Sequence, residues 1–298
     1  MPRRPKPLLF RYIRDELPQG RTDEYLNQGM VSLEVITVLY PTKFVDWGEV
    51  AEWSRRLARR IESSGWSPEV IVAVGRGGYV VSRLLCDYLR VEDLVSLQVR
   101  WVETVRKPGE SYLADLVRVF ARAARTGEST DKGIGRVVSG LRASVVFDYT
   151  VDLRGRDTLL VEEIVATGMH LRIAKDVITR GWNPGVVRTA ALVWKAPDPS
   201  TRPDYYFIEP GRFVWFQFPW SRLNDYIQFV RVMLQEESRE SCKTEWGIEE
   251  VERKFREWYG VKPSQPYLQD TLRILEKEGL LRAWEGKQIT LSRDFLSC

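Results

Sequence analysis

One stretch limits what this chain can fold into more than any other: Asp157-Thr-Leu-Leu-Val-Glu-Glu-Ile-Val-Ala-Thr-Gly-Met-His-Leu171. Leu159, Leu160 and Val161 form an apolar run that ends in two acids, Glu162 and Glu163. Ala166-Thr167-Gly168 then opens an amphipathic helix. A continuous apolar run reads as a parallel strand buried on both faces, and the turn from such a strand into a helix is where α/β proteins hold ligands. The side chains suit that position. Two carboxylates at a strand end can hold ribose hydroxyls or a hydrated Mg²⁺. A Thr-Gly turn leaves backbone N–H groups available to a phosphate at the helix N-terminus.

The rest of the chain extends the same pattern. Val50, Trp53, Leu57 and Ile61 recur at helical spacing over 46–63, before Gly65 as a stop. Val70–Val74 is a buried strand, Gly75-Arg76-Gly77-Gly78 its turn, and 80–89 a helix with Val81, Leu84, Leu85 and Tyr88 facing inward. Further strands are expected at 94–102, 143–149 and 186–194, with one amphipathic helix near 112–124 inside a polar, basic stretch, 103–142. Strands alternating with helices predict an α/β fold with a parallel sheet. Beyond Trp220 the pattern changes to a helix at 223–234 and a polar linker at 235–244. Helices at 246–259 and 264–278 and a hairpin (280–284 and 287–291, turning at Glu285-Gly286) follow, the outline of a small winged helix-turn-helix.

Composition closes off several classes. The 298 residues predict two domains, and 44% hydrophobic content supports a sizeable core. Three widely spaced cysteines, Cys86, Cys242 and Cys298, form neither a disulfide framework nor a metal knuckle. Met1–Phe10 has no apolar segment of the signal-peptide kind, and no stretch approaches the roughly 20 apolar residues of a membrane span, which points to a soluble, cytoplasmic protein with no membrane partner. The eleven Trp are read first as core filling. Scarce Asn beside abundant Glu, Arg and Lys fits a thermophile.

Segment 157–171 resembles the phosphoribosyl-pyrophosphate (PRPP) motif of the type I phosphoribosyltransferases, and the Gly75–Gly78 turn stands upstream of it in family order. Residues 46–90, Val193-Trp-Lys195, Arg202-Pro-Asp-Tyr-Tyr206 and Trp215-Phe-Gln-Phe-Pro-Trp220 are similar to the 6-oxopurine branch, which acts on hypoxanthine, guanine and xanthine. The resemblance spans about 40–225 outside 103–142. It implies a phosphoribosyltransferase-like parallel sheet flanked by helices, with a hood. The domains are then an N-terminal segment contributing to the hood (1–45), the phosphoribosyltransferase-like domain (46–234) and a winged-helix-like domain (235–298). It also implies that Glu162 and Glu163 are the catalytic acids and hold Mg²⁺ indirectly. Ala166, Thr167, Gly168, Met169 and His170 form the 5-phosphate loop, and Arg76, Gly77 and Gly78 receive pyrophosphate. Lys195 donates to the purine O6, and an aromatic ring stacks on the base. Trp215 matches that ring by its distance to Pro219-Trp220 and Phe213 by its distance to Pro203-Asp204; Trp215 is favoured.

The chain departs from that branch at three positions. Glu163 replaces an Asp, Ala166 stands where the branch places an Asp thought to act as general base, and His170 replaces a Thr. Adenine phosphoribosyltransferases also carry Ala at the second. The 103–142 insertion falls where the family has a mobile lid, so that Lys107, Arg118, Arg122, Arg125, Lys132 and Arg136 can reach pyrophosphate; the alternative is a solvated helix or a dimer contact through Leu113, Leu116 and Phe120. The expected function is transfer of ribose 5-phosphate from PRPP to a 6-oxopurine, with Mg²⁺ as cofactor and a homodimer as the assembly. The alternative is a catalytically lapsed sensor of PRPP or a nucleotide whose winged helix contacts DNA. DNA is the less favoured partner, because the candidate recognition helix sets only Arg273 and Lys277 against Asp270, Glu276 and Glu278.

Overall fold

A computed structural model describes residues 38–101, 112–139, 143–147, 152–196, 198–211, 213–284 and 288–292. The chain divides into two compact units. One comprises Thr42–Tyr112 and Ile134–Asp225; the other takes the chain up to Pro41, Leu113–Gly133 and Tyr226–Cys298.

The first unit begins with β1 (Thr42–Phe44) and α1 (Trp47–Ser63). Asp46 caps α1: its Oδ1 accepts the Glu49 N–H at 2.7 Å, and the Glu49 carboxylate accepts the Asp46 N–H at 3.1 Å. Val50, Trp53, Leu57 and Ile61 are buried, as their spacing predicts. Then come β2 (Val70–Gly75), α2 (Gly77–Leu89) and β3 (Asp93–Trp101). Tyr88, in the last turn of α2, keeps 38% of its surface exposed rather than facing fully inward; its polar hydroxyl favours an edge position. After α3 (Tyr112–Thr126) and α4 (Thr130–Ser139) the chain returns as β4 (Ala143–Phe147), β5 (Thr158–Val165), α5 (Met169–Gly181), β6 (Val187–Trp194), β7 (Tyr205–Ile208) and β8 (Trp215–Gln217).

Six strands form one sheet in the order β4-β3-β2-β5-β6-β7, parallel except at one edge. There β4 runs antiparallel to β3, with Trp101 paired to Ala143. The chain therefore rejoins the sheet at the end where it left, and no crossover is needed. Alternation along the strands feeds two cores. Ile71, Leu159 and Val161 pack with Leu57, Val81 and Leu85 of α1 and α2. Val70, Val72 and Leu160 pack with Leu171, Ala174 and Ile178 of α5. Each such side chain contributes on the order of 1.5–3 kcal/mol by burial. The same alternation sends Glu162 and Glu163 to opposite faces of the β5 end. Separately, β1 and β8 pair in parallel, Thr42 with Trp215 and Phe44 with Gln217, as a two-stranded hood.

The second unit is built around aromatic rings. Tyr40 meets Phe120 edge-on at 5.1 Å, Phe229 stacks on Tyr259 at 4.3 Å, and the Tyr259 hydroxyl donates to the Phe229 carbonyl at 2.8 Å. Leu113, Leu116 and Phe120 are buried inside this unit, so they are not a dimer contact. Arg118 pairs with Asp115 and Gln235, and Arg125 pairs with Glu236 and Glu240. Two of the arginines expected to reach pyrophosphate are thus engaged elsewhere. Arg122 pairs with Glu128, Lys132 and Arg136 are exposed, and Lys107 and residues 1–37 lie outside the described residues.

The polar stretch 235–244, expected as a linker, is helical to Ser241 within α6 (Arg222–Ser241). Its polar side chains explain this. Glu236 takes Arg125 and Arg239, Glu237 takes the Trp258 indole N–H at 2.7 Å, and Ser238 takes the Trp246 indole N–H at 3.0 Å. β9 (Glu245–Gly247), α7 (Ile248–Tyr259), α8 (Gln265–Lys277), β10 (Leu281–Trp284) and β11 (Gln288–Leu291) complete the unit, with an antiparallel sheet ordered β10-β11-β9. The short β9 was not foreseen, three residues being too few for a legible period. Glu285-Gly286 and Cys298 fall outside the described residues. No helix among the described residues is long and apolar enough to cross a membrane.

Candidate active site

A cavity of roughly 240 Å³ opens beside the C-terminal end of β5, wholly within the first unit. It is lined by Glu162, Glu163, Ala166, Thr167, Gly168 and His170 together with Lys195, Trp215, Phe218, Ser221 and Asp225, with Tyr112 against Trp215. The two halves of the expected site therefore share one space. Met169, Phe213 and the Arg76–Gly78 turn are not on its wall.

Gly168 is the N-cap of α5 at φ 75°, a left-handed backbone that glycine adopts without strain, and it provides no side-chain cap. The Thr167 hydroxyl instead accepts the Met169 N–H at 3.3 Å. His170 Nδ1 lies 3.2 Å from Glu162 Oε1, which ties the first acid to the turn that opens α5. The only histidine thus serves as a neighbour of Glu162, a contact its sequence position did not disclose.

Glu163 turns the other way. A Cβ on Gly77 would stand 2.0 Å from its Oε1, so the glycine is what lets the carboxylate lie there. The Gly78 N–H donates to that carboxylate, so this amide of the expected pyrophosphate turn is engaged. Burial, then the charge of Glu162, push Glu163 up to about 8, against the opposing Arg76 charge and its amide bonds. Arg76 itself is exposed at the N-cap of α2, after a cis Gly75–Arg76 peptide.

Gly78 is needed for a different reason. Its Cβ would come 2.5 Å from the Val161 carbonyl oxygen, backbone against backbone. Gly78→Ala is therefore expected to destabilise the fold by about 1–3 kcal/mol and to disturb the acid pair, read as a lower melting temperature. Gly77→Ala, which meets only a flexible carboxylate tip, should cost less stability; equal losses would refute the distinction.

The backbone N–H of Lys195 continues the β5–β6 ladder to Val165 O at 2.9 Å. Its Nζ donates to the Val214 carbonyl at 3.0 Å and lies 4.9 Å and 5.0 Å from the ring centres of Phe213 and Trp215. Burial alone pulls the Lys195 ammonium down to about 7. Lys195, Phe213 and Trp215 thus come together, with the Lys195 Nζ over the indole. Asp225 was not foreseen. Its Oδ2 accepts the Trp215 Nε1–H at 3.2 Å and the Ser221 hydroxyl at 3.3 Å, and burial pushes it up to about 7. Tyr112, pushed by burial up to about 12, was read only as the start of a helix. No local motif announces either residue.

Among the described residues no group of three or more His, Cys, Asp or Glu side chains is arranged to hold a metal ion. The adjacent Glu162 and Glu163, whose mutual repulsion helps to keep Glu163 protonated, fit a hydrated Mg²⁺ whose remaining oxygens come from a ligand.

The structure is a six-stranded α/β sheet whose β5 ends in this acid pair and turn. The chain belongs to the phosphoribosyltransferase family: the model described as phosphoribosyl transferase domain matches residues 42–221. Its activity class is that of a transferase. Among solved structures it is similar to a purine phosphoribosyltransferase from Pyrococcus horikoshii Ot3, at 19% identity over 60% of this chain and 93% of that one, with a TM-score of 0.43. A Neisseria gonorrhoeae protein solved with bound ppGpp matches at 15% identity over 68% and 98%, with a TM-score of 0.45. The Helicobacter pylori xanthine-guanine-hypoxanthine phosphoribosyltransferase matches at 16% identity over 60% and 92%, with a TM-score of 0.40.

Proposed function

We propose that this protein is a purine phosphoribosyltransferase that transfers ribose 5-phosphate from PRPP to a 6-oxopurine and releases pyrophosphate. The observation that carries the reading is the shared cavity, lined both by the β5 acids with the Thr167-Gly168 turn and by Lys195 with Trp215. The α5 N-terminus receives the 5-phosphate, and Glu162 and Glu163 face the ribose hydroxyls. Mg²⁺, held through water by Glu162 and Glu163, would supply charge neutralisation for the departing pyrophosphate. The base lies on the Trp215 face with its O6 toward the Lys195 Nζ, a donor that discriminates against an amino group. The family's transition state is cation-like at the anomeric carbon, so the chain's main contribution is to fix the two reactants in line.

Steady-state nucleotide formation from Mg²⁺-PRPP with guanine, hypoxanthine, xanthine and adenine tests this, at 25 °C and at elevated temperature. Turnover with an oxopurine is expected. Turnover with adenine alone would overturn the base assignment, and no turnover with any purine would overturn the reading.

A second reading is favoured by one observation. Helix α6, β9, α7, α8 and the β10–β11 hairpin follow the order of a winged helix. A regulator that binds PRPP or a nucleotide and contacts DNA would retard promoter DNA in a gel in a PRPP-dependent way. The mixed charge on α8 weighs against it: Arg273 is already 3.4 Å from Asp270.

A further inference from the structure

The reaction proposed above, on which this inference rests, has a proton to place. A neutral oxopurine attacks the anomeric carbon through one imidazole nitrogen while the ring still carries an N–H. Unless that proton leaves, the product is a cationic purine. Ala166, on the cavity wall, has nothing to accept it with.

Six ionisable side chains line the cavity: Tyr112, Glu162, Glu163, His170, Lys195 and Asp225. Glu162 and Glu163 stand at the β5 end beside the phosphate loop, and His170 is in contact with Glu162. Tyr112, held near 12, offers no base at neutral pH. Lys195 is committed as a donor. Asp225 is left, and its geometry suits the task. It is 5% exposed, and Oδ2 is fixed by the indole N–H of the ring on which the base stacks and by Ser221. It enters from the first turn of α6, beyond the family-matched segment that ends at residue 221.

We propose that Asp225 is the proton acceptor for the purine in this cavity. As the ribose C–N bond forms, the bond from the anomeric carbon to pyrophosphate breaks and the electron pair leaves with pyrophosphate. The ring N–H bond breaks, its electrons stay in the imidazole, and the proton passes to the Asp225 carboxylate and later to water. Burial, which pushes Asp225 up to about 7, sets it where an acceptor works best at neutral pH. The bonds to Trp215 and Ser221 keep the carboxylate from turning away.

The test compares wild type, Asp225→Asn and Asp225→Glu with guanine and with 8-azaguanine, whose ring N–H is more acidic and needs less help to leave. Asp225→Asn is expected to lower kcat with guanine by about 10²–10³, to leave KM for PRPP unchanged, and to lose the acidic limb of the kcat/KM profile. 8-Azaguanine should recover most of the loss. Asp225→Glu should keep the limb and stay within roughly tenfold of wild type. Thermal melting of each variant separates these effects from misfolding, and the Glu variant carries the test if the Asn variant does not fold. Equal losses with both bases, accompanied by a raised base KM, would mean that Asp225 only positions Trp215 and would overturn the proposal. So would an Asn variant as active as wild type. A wild type inactive with every purine would overturn the functional reading, and this proposal with it.

Discussion

Replacing Lys195 with methionine is expected to remove nearly all turnover with 6-oxopurines and, at pH 6, to make the protein more stable. The two effects have one origin. Lys195 Nζ is buried against Phe213 and Trp215 with the Val214 carbonyl as acceptor, and burial alone lowers its proton affinity to about 7. Below about pH 7 the folded protein carries a desolvated ammonium, which is costly where its contacts are one carbonyl and two ring faces. Between about 7 and the ordinary 10.5 the unfolded chain holds a proton that the folded one does not, so wild-type stability from this group rises with pH across that window. Methionine, of similar length and without charge, removes the penalty. A gain of about 1–2 kcal/mol is expected at pH 6, shrinking toward pH 10. Loss of one positioned donor to O6 costs about 10²–10³ in kcat/KM. Denaturant melts at pH 6 and 9 beside the kinetics decide it. A Lys195→Met protein that is less stable at pH 6 would show that Lys195 is a structural residue, and unchanged turnover would show that it does not meet the base.

How far the molecule could be read from its sequence depended on whether one period and one local motif were enough. The strands β2, β5 and β6 were legible because each carries an apolar run (Val70–Val74, Leu159–Val161, Ala190–Trp194), and α1 because its four apolar residues fall on one stripe. The acid pair, the Thr-Gly turn and Lys195 were legible because they sit at the C-terminal ends of strands, the edge at which α/β sheets hold ligands. What failed was anything decided by partners far along the chain. The stretch 235–244 looks like a linker until Trp246, Trp258 and Arg125 are seen to use its Ser and Glu residues. The direction of β4 was hidden because a strand's composition does not say which way its neighbour runs. Leu113, Leu116 and Phe120 suit a dimer contact when read from sequence alone, and only the fold supplies Tyr40 for Phe120. Asp225 belongs to the same class: an acid in a first helical turn is ordinary until it is found buried against Trp215.

Raising the pH from 5 to 8 is expected to destabilise the ligand-free protein, and Glu163→Gln should remove much of that loss. Burial and the charge of Glu162 raise the Glu163 carboxyl from 4.5 to about 8. Below about 4.5 both folded and unfolded chains carry the proton, and the contribution to stability is complete. As pH rises through 4.5 the unfolded chain releases it while the folded one does not, and stability falls until the folded group ionises near 8. Taken over that whole window the linkage would reach about 5 kcal/mol. Glu163 remains partly open to the cavity, so solvent screens the charge and roughly 2 kcal/mol is the expected size. Asp225, raised by burial to about 7, adds a loss of the same sign to both proteins, whereas the Glu163 linkage is present only in wild type, so the two should converge at pH 5 and separate by pH 8. Urea melts at both values measure it. A Glu163→Gln curve parallel to wild type would mean that Glu163 is already ionised in the free protein. If instead the curves diverge as expected, Mg²⁺ with pyrophosphate becomes a direct probe of the acid pair. A cation that ionises Glu163 should flatten the wild-type dependence toward that of the Gln variant, because it adds positive charge to that of Arg76 beside the carboxylate.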